Sequence, residues 1–325
     1  LSYDYENQSL LVDMPSAIHE ALFDCLKLSL GQSIAMLPYN HDTVFQMIHM
    51  NSSLKVGRKS VTPDICLTLT PAEGPTNIVL VPFFGESACS EDKRHAIGKL
   101  AKTIRAHPDI KMAVLGLIRE VQPYHHPKRN SHAWKFFSAR PEPLPLDEFI
   151  TERFPPCTSI KIARHNWCHV SSVELFVWVQ GDDEAAIDLN KQDAEHMAHG
   201  TLLPNLDMDA VKVMFERGLA KIRDSMVTFT KQLDPNIDCT TLENAPITFL
   251  PIWKDYIRAC KNGADVTAWM RYTAWHEKVI SGRMKKTNAA SGSGASDGQT
   301  RGRPKRKRMS VSLPPTRKSK RLLSR

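Results

Sequence analysis

"PDICLTLTPAEGPTNIVLVPFFGES", residues 63–87, decides how this chain is read. Two apolar runs, one from Asp64 to Thr70 and one from Ile78 to Phe84, flank a loop rich in Pro and Gly. The pattern predicts two strands turned back on each other. The second run is apolar at successive positions, as in a central strand covered on both faces. Pro82 cannot donate a ladder hydrogen bond, so regular pairing is expected to stop or bulge near it, with Glu86 just past the break. Asp64 opens the first strand and Glu86 follows the second. Two carboxylates carried by neighbouring strands are the hard oxygen ligands that Mg²⁺ takes. On that reading they should lie about 4–6 Å apart, close enough to share one ion. The plain alternative is a pair of solvated acids near the ends of an ordinary hairpin.

Upstream, Pro15 and Ser16 open a helical stretch in which Ile18, Ala21, Leu22, Cys25, Leu26 and Ser29 share a face, with Gly31 expected to end it. Residues 43–50 read as a strand, and 54–56 as a short arm paired with it. Downstream, Ser90 is the expected N-cap of a helix with Glu91 and Asp92 in its first turn. Ile97, Leu100, Ala101 and Ile104 form its apolar stripe as far as His107 and Pro108. Residues 111–120 complete the block as another strand. The order is helix, two or three strands, helix, strand.

Residues 121–158 are basic and rich in His and Pro, and read as a loop or insertion. A second α/β to helical unit spans 159–280, separate or part of the same domain. It has strands at 159–162 and 173–180, an acidic connector, a helix over 208–233 and an aromatic helical region over 246–280. The predicted fold class is α/β, of α+β type: a mixed sheet flanked by helices in residues 1–120, then a mostly helical C-terminal part. From 281 the composition turns to Ser, Gly, Lys and Arg, as in a disordered basic tail.

The element order, together with Pro63-Asp64 and Glu86, resembles the PD-(D/E)xK nuclease superfamily, the restriction-endonuclease-like core. "TPDICLTL" and "GESACS" are similar to uncharacterised fungal proteins with a diverged version of that core. The resemblance implies that Asp64 and Glu86 hold a Mg²⁺ ion for phosphodiester cleavage. It also implies a lysine at residue 88, which orients or activates the attacking water. Ala88 stands there instead. Lys93 and Lys99 are the candidates for a lysine moved to the next helix. Lys93, four positions before Ile97, shares the stripe and is preferred, whereas Lys99 falls roughly opposite Ile97. Some relatives add a Glu from the first helix as a metal ligand. Glu20 is the residue placed for this, although its helical phase points it away from Ile18 and Leu22.

Charge is divided sharply along the chain. From Arg283 onward there are 14 Lys and Arg against one acid, Asp297, whereas the preceding residues carry 29 basic and 34 acidic side chains. The body is mildly acidic and the basic pI belongs to the tail. Within the tail, Arg301-Gly302-Arg303-Pro304 resembles the core of an AT-hook, which enters the minor groove of AT-rich DNA. Two Arg flank a Gly that lets the backbone approach the groove floor. Lys305, Arg306, Lys307 and Arg308 add phosphate contacts, and the same run suits a nuclear import receptor. DNA as partner and the nucleus as compartment follow as expectations. The alternative is a catalytically inactive DNA-binding or scaffold protein that uses the same tail.

Seven scattered cysteines suit buried thiols in a reducing compartment. No run approaches the roughly 18 apolar residues of a membrane span, so a soluble intracellular protein is expected. The chain opens on Leu1, as expected of a processed chain or one that begins further upstream. Cys157, His165, Cys168 and His169 fit no common zinc spacing. His196 and His199, read on a helix, lack a third ligand. Trp269, Tyr272 and Trp275, at near-helical spacing, read as core or a helix-docking face ahead of a base-stacking platform.

Overall fold

The computed structural model describes residues 2–4, 9–11, 16–56, 59–74, 78–89, 92–151 and 159–291, with backbone alone at 2–4, 9–11, 55, 56, 59 and 281–291. Its elements are β1 (Ser2–Asp4), β2 (Ser9–Leu11), α1 (Ala17–Ala35), β3 (Val44–Met50), β4 (Leu54–Val56), β5 (Lys59–Val61), β6 (Ile65–Pro71), β7 (Leu80–Cys89), α2 (Lys93–Ala106) and β8 (Met112–Glu120). They continue as α3 (His132–Ser138), α4 (Leu146–Ile150), β9 (Ser159–Ile162), β10 (His165–Val179), β11 (Met197–Leu203), α5 (Asp209–Leu233), α6 (Thr240–Glu243) and α7 (Trp253–Ser291). The chain falls into two units, residues 1–281 and 282–325. The tail motif at 301–308, Cys157, Ser90 and Glu91 lie outside the described residues.

The principal sheet runs β11-β10-β8-β7-β6-β3, with β9 paired to β10. Every neighbour is antiparallel except β7 and β8, which are parallel and joined through α2. The class is therefore α+β, a mixed sheet flanked by helices. Alternation along β7 sends Phe83 into one core and Phe84 into the other. Ile18, Leu22, Phe23 and Leu26 of α1 join the first core, with side chains of α5 and α7. Ala96, Leu100 and Ile104 of α2 cover the opposite face. Each such side chain, fully buried, contributes about 1.5–3 kcal/mol if it is as large as Leu or Phe.

Several local expectations are corrected. α1 runs straight through Gly31, because its apolar stripe continues to Leu30 and Ile34. β4 pairs with β5, not with β3. β7 continues through Pro82, and Glu86 lies inside the strand. The register slips between Leu67 and Leu69 of β6, so the proline falls in a bulge on that side. Its carbonyl still accepts the Lys111 N–H at 2.8 Å. α2 begins at Lys93, capped by Asp92, which accepts the Arg94 N–H at 3.0 Å. The segment read as loop contains α3. β11 occupies sequence read as connector and helix, because its Ala198 and Leu202 are buried against the sheet. His196 precedes that strand and His199 lies on it.

Two close approaches set α1 in place. A Cβ on Gly116 would lie 2.5 Å from Leu22 Cδ2, and one on Gly85 2.9 Å from Ile65 Cγ2 and 3.2 Å from Phe23 Cζ, so the glycines let the helix sit low on the strands. At its N-terminal end α7 locks it. Thr267 Oγ1 accepts the Ile18 N–H at 3.2 Å, and a Cβ on Gly263 would stand 2.8 Å from Ile18 Cα. Backbone cannot yield as a side-chain tip can. Gly263→Ala is therefore expected to cost about 1–3 kcal/mol in urea unfolding, and an unchanged midpoint would show that the two helices slide apart freely. Tyr272 stacks on Phe149 with centroids 4.7 Å apart, and Trp275 is buried with it, so these aromatics are core.

Candidate metal centre

The two expected acids lie at one end of the β6–β7 pair. The strand register pairs Ile65 with Gly85 and Cys66 with Phe84. Asp64 directly precedes β6, and Glu86 lies on β7 one residue past Gly85, the partner of Ile65. Glu86 alternates with Phe84, which belongs to the core under α2, whereas the groups near Asp64 include His19 of α1.

Both carboxyls are largely withdrawn from water. Glu86 is 8% exposed. The Asp64 side chain is 16% exposed, and its Oδ2 accepts the Ser87 N–H at 2.6 Å. Its own carbonyl accepts the Asn51 N–H at 3.1 Å, from a residue in the left-handed region at φ 53°. Burial holds the Asp64 carboxyl above the usual carboxylate range. His19, the Ser87 N–H and Lys99 pull it back down, while Glu20 pushes it further up. A positive charge placed here would relieve that penalty.

α1 supplies two more groups. His19 Nε2 is 2.8 Å from Ser87 O and 3.5 Å from Asp64 Oδ2. A carbonyl only accepts, so Nε2 carries the hydrogen and donates it, which fixes the ring orientation. Glu20 reaches the site from the side, with Oε1 accepting from Asn51 Nδ2 at 3.2 Å. Its position alters the Asp64 carboxyl despite the unfavourable helical phase read from the sequence. His19 was missed, although it adjoins Glu20 in the chain.

The two lysines of α2 diverge. Lys93 Nζ lies 3.6 Å over the Phe176 ring. Phe176 pairs with Leu115, which pairs with Glu86, so this ring stands two strands, or about 10 Å, from Glu86, and Asp64 is a further strand away. Burial pushes the Lys93 ammonium down, Glu174 raises it and Arg119 lowers it again. Lys99, not Lys93, is the lysine whose charge acts on Asp64. The stripe that α2 buries is Ala96, Leu100, Thr103 and Ile104, with Ile97 at its margin. On an ideal helix the two lysines lie about 120° apart, Lys93 within the arc of that stripe and Lys99 beyond its Thr103 edge. Ala88 is 1% exposed within the α2 core, so its position is filled by packing.

Among the described residues, one group of three His, Cys, Asp or Glu side chains brings ligand atoms within 4.8 Å of one another: Asp193, Glu195 and His196. His196 Nδ1 is 2.7 Å from Asp193 Oδ1, and Glu184 and Lys191 lie beside the same ring. The motif "DAEH" carried that signal. Asp64, Glu86 and Glu20, expected as metal ligands, form no such group. His165, Cys168 and His169 form no such group. Burial pushes the Cys168 thiol up to about 12.

No described helix is long and apolar enough to cross a membrane. Comparisons with protein-family models, with curated proteins and with solved structures find no match.

Proposed function

We propose that this chain is a metal-dependent phosphodiesterase acting on DNA in the nucleus, built on a diverged restriction-endonuclease-like core. One observation carries the reading: Asp64 and Glu86, both largely withdrawn from water, sit at the same end of the β6–β7 pair, where Ser87, next to Glu86, donates its N–H to Asp64 Oδ2 at 2.6 Å. The order α1, β3, β6, β7, α2, β8 supports it, being the helix, three strands, helix and strand of that core.

The donor set fits Mg²⁺. Asp64 and Glu86 would hold the ion, and Glu20, held by Asn51, adds negative charge nearby. Bound there, Mg²⁺ supplies Lewis-acid stabilisation of a phosphoryl oxygen. Lys99 takes the part of the lysine missing at residue 88, bringing positive charge to the developing negative charge. His19, tied to Ser87 O, holds the Asp64 side of the site in place.

The basic tail is the tether, with Arg301 and Arg303 aimed at AT-rich minor groove. Deleting residues 301–325 should weaken DNA binding and flatten its dependence on salt in anisotropy titrations. Identical salt slopes would remove the tail as a DNA contact. For the chemistry, supercoiled plasmid is incubated with the full chain and Mg²⁺ or Mn²⁺, and nicking that EDTA abolishes is expected. Absence of nicking with either metal would favour the second reading, an inactive DNA-binding scaffold, for which buried Ala88 at the lysine position speaks.

A further inference from the structure

A cavity of about 270 Å³ opens where β8 ends and the β9–β10 hairpin begins. Lys161 and Arg164 are exposed at its edge, and His125, His165 and His169 line it. Glu120 is the one acid in the lining, and Arg271 donates to both of its oxygens, at 2.6 and 2.9 Å. Its charge is thereby matched, and the charged side chains left over in the lining are the cations Lys161 and Arg164, beside three imidazoles.

The shape of the wall is equally specific. Tyr124 lines the cavity, with the His165 ring edge-on to it at 6.3 Å. The Arg271 guanidinium lies 4.7 Å from the Tyr124 centroid and pins that ring from the protein side. His165 Nε2 is 3.0 Å from His125 O, so it donates there and its orientation is fixed. Arg164 sits at the hairpin tip with φ 63°, next to Ala163 at φ 50°. Neither is glycine, so the turn holds Arg164 in a left-handed conformation that L residues seldom adopt.

We propose that this cavity binds one phosphate-bearing nucleotide of a nucleic acid strand, with phosphate on Lys161 and Arg164 and the base against Tyr124 and His165. Arginine suits phosphate as a two-pronged donor, and aromatic faces accept any base. The volume lies just under the ~300 Å³ at which drug-sized ligand pockets begin, which suits a single nucleotide and not a duplex. β7 and β8 are parallel, so their carboxyl ends open on the same side of the sheet. Glu120 lies five residues past Leu115, the partner of Glu86, or about 17 Å along the strand. Resting on the proposed function, this makes the substrate a polynucleotide held at a second point beyond the scissile phosphate.

The test uses the full chain in EDTA and follows its imidazole NMR signals. The tail contains no histidine, so these signals report the body alone. A nucleoside 5′-monophosphate is expected to shift His125, His165 and His169, with inorganic phosphate binding at least several-fold more weakly. The unphosphorylated nucleoside should shift nothing. Lys161→Gln with Arg164→Gln, both at exposed positions, should weaken nucleotide binding at least tenfold. Unmoved imidazoles, equal binding of nucleoside or inorganic phosphate, or a double variant that binds as before would each overturn the proposal. Asp64→Asn should bind the nucleotide normally. Binding without any cleavage would defeat the nuclease reading alone, and cleavage without binding would defeat this one alone.

Discussion

Asp64→Asn is expected to abolish metal-dependent nicking while raising the thermal midpoint of the metal-free protein at pH 7. A ligand whose loss removes several kcal/mol of Lewis-acid stabilisation should cost about a thousandfold or more in rate. The stability gain has a separate cause. Burial raises the folded-state Asp64 carboxyl above its ordinary value of 3.8, despite help from His19, the Ser87 N–H and Lys99. Between 3.8 and that raised value the folded chain holds more proton than the unfolded one. Stability therefore falls as pH rises through that window, and the full penalty is present at neutral pH. Asparagine can keep the acceptor for Ser87 N–H without carrying the charge. Its advantage should be full at pH 7 and vanish below the unfolded value of 3.8. Mg²⁺ should raise the wild-type midpoint by a few degrees and leave the variant unmoved. An Asn variant less stable at pH 7, or one still stabilised by Mg²⁺, would mean that Asp64 is a structural acid and not a ligand.

Lys99→Met should reduce nicking about a hundred- to a thousandfold, the scale for loss of one preorganised charge or donor at the reacting centre. Lys93→Met should change it by no more than a few-fold. Lys93 lies over Phe176, two strands from Glu86, and a methionine there can keep the apolar contact with the ring. Lys99 lies on α2 outside the buried stripe, and its charge acts on Asp64. Plasmid nicking under single-turnover conditions separates the two variants. A larger loss for Lys93→Met would reverse the assignment, and equal small losses would leave the site without a lysine.

The acids were legible because strand alternation and turn chemistry are local. Asp64 opens an apolar run and Glu86 follows one, and pairing of 65–71 with 80–89 needs only the Pro- and Gly-rich turn between them. The strand at 44–50 and the helix at 209–233 follow from period alone. Continuity of β7 through Pro82 was not legible, because a missing N–H matters only on the side where a partner needs it. The β6 bulge and the Pro82 carbonyl accept that proline without ending the strand. β11 was hidden for a similar reason: "MAHGTLL" acquires its strand character from the neighbouring β10.

By itself the sequence determined the element order, the placing of Asp64 and Glu86 about two neighbouring strands and the separation of an acidic body from a basic tail. Tertiary structure alone decided which side chains meet those carboxylates. A helix can be rotated about its axis without changing its periodicity, and the rotation follows from which residues the sheet accepts. α2 buries Ala96, Leu100, Thr103 and Ile104, with Ile97 at the margin, and that leaves Lys93 over Phe176 and the Lys99 charge acting on Asp64. α1 is set by the glycines beneath it and by α7 across its start, and this delivers His19 to Ser87. These contacts join residues far apart in the chain, so no local pattern encodes them.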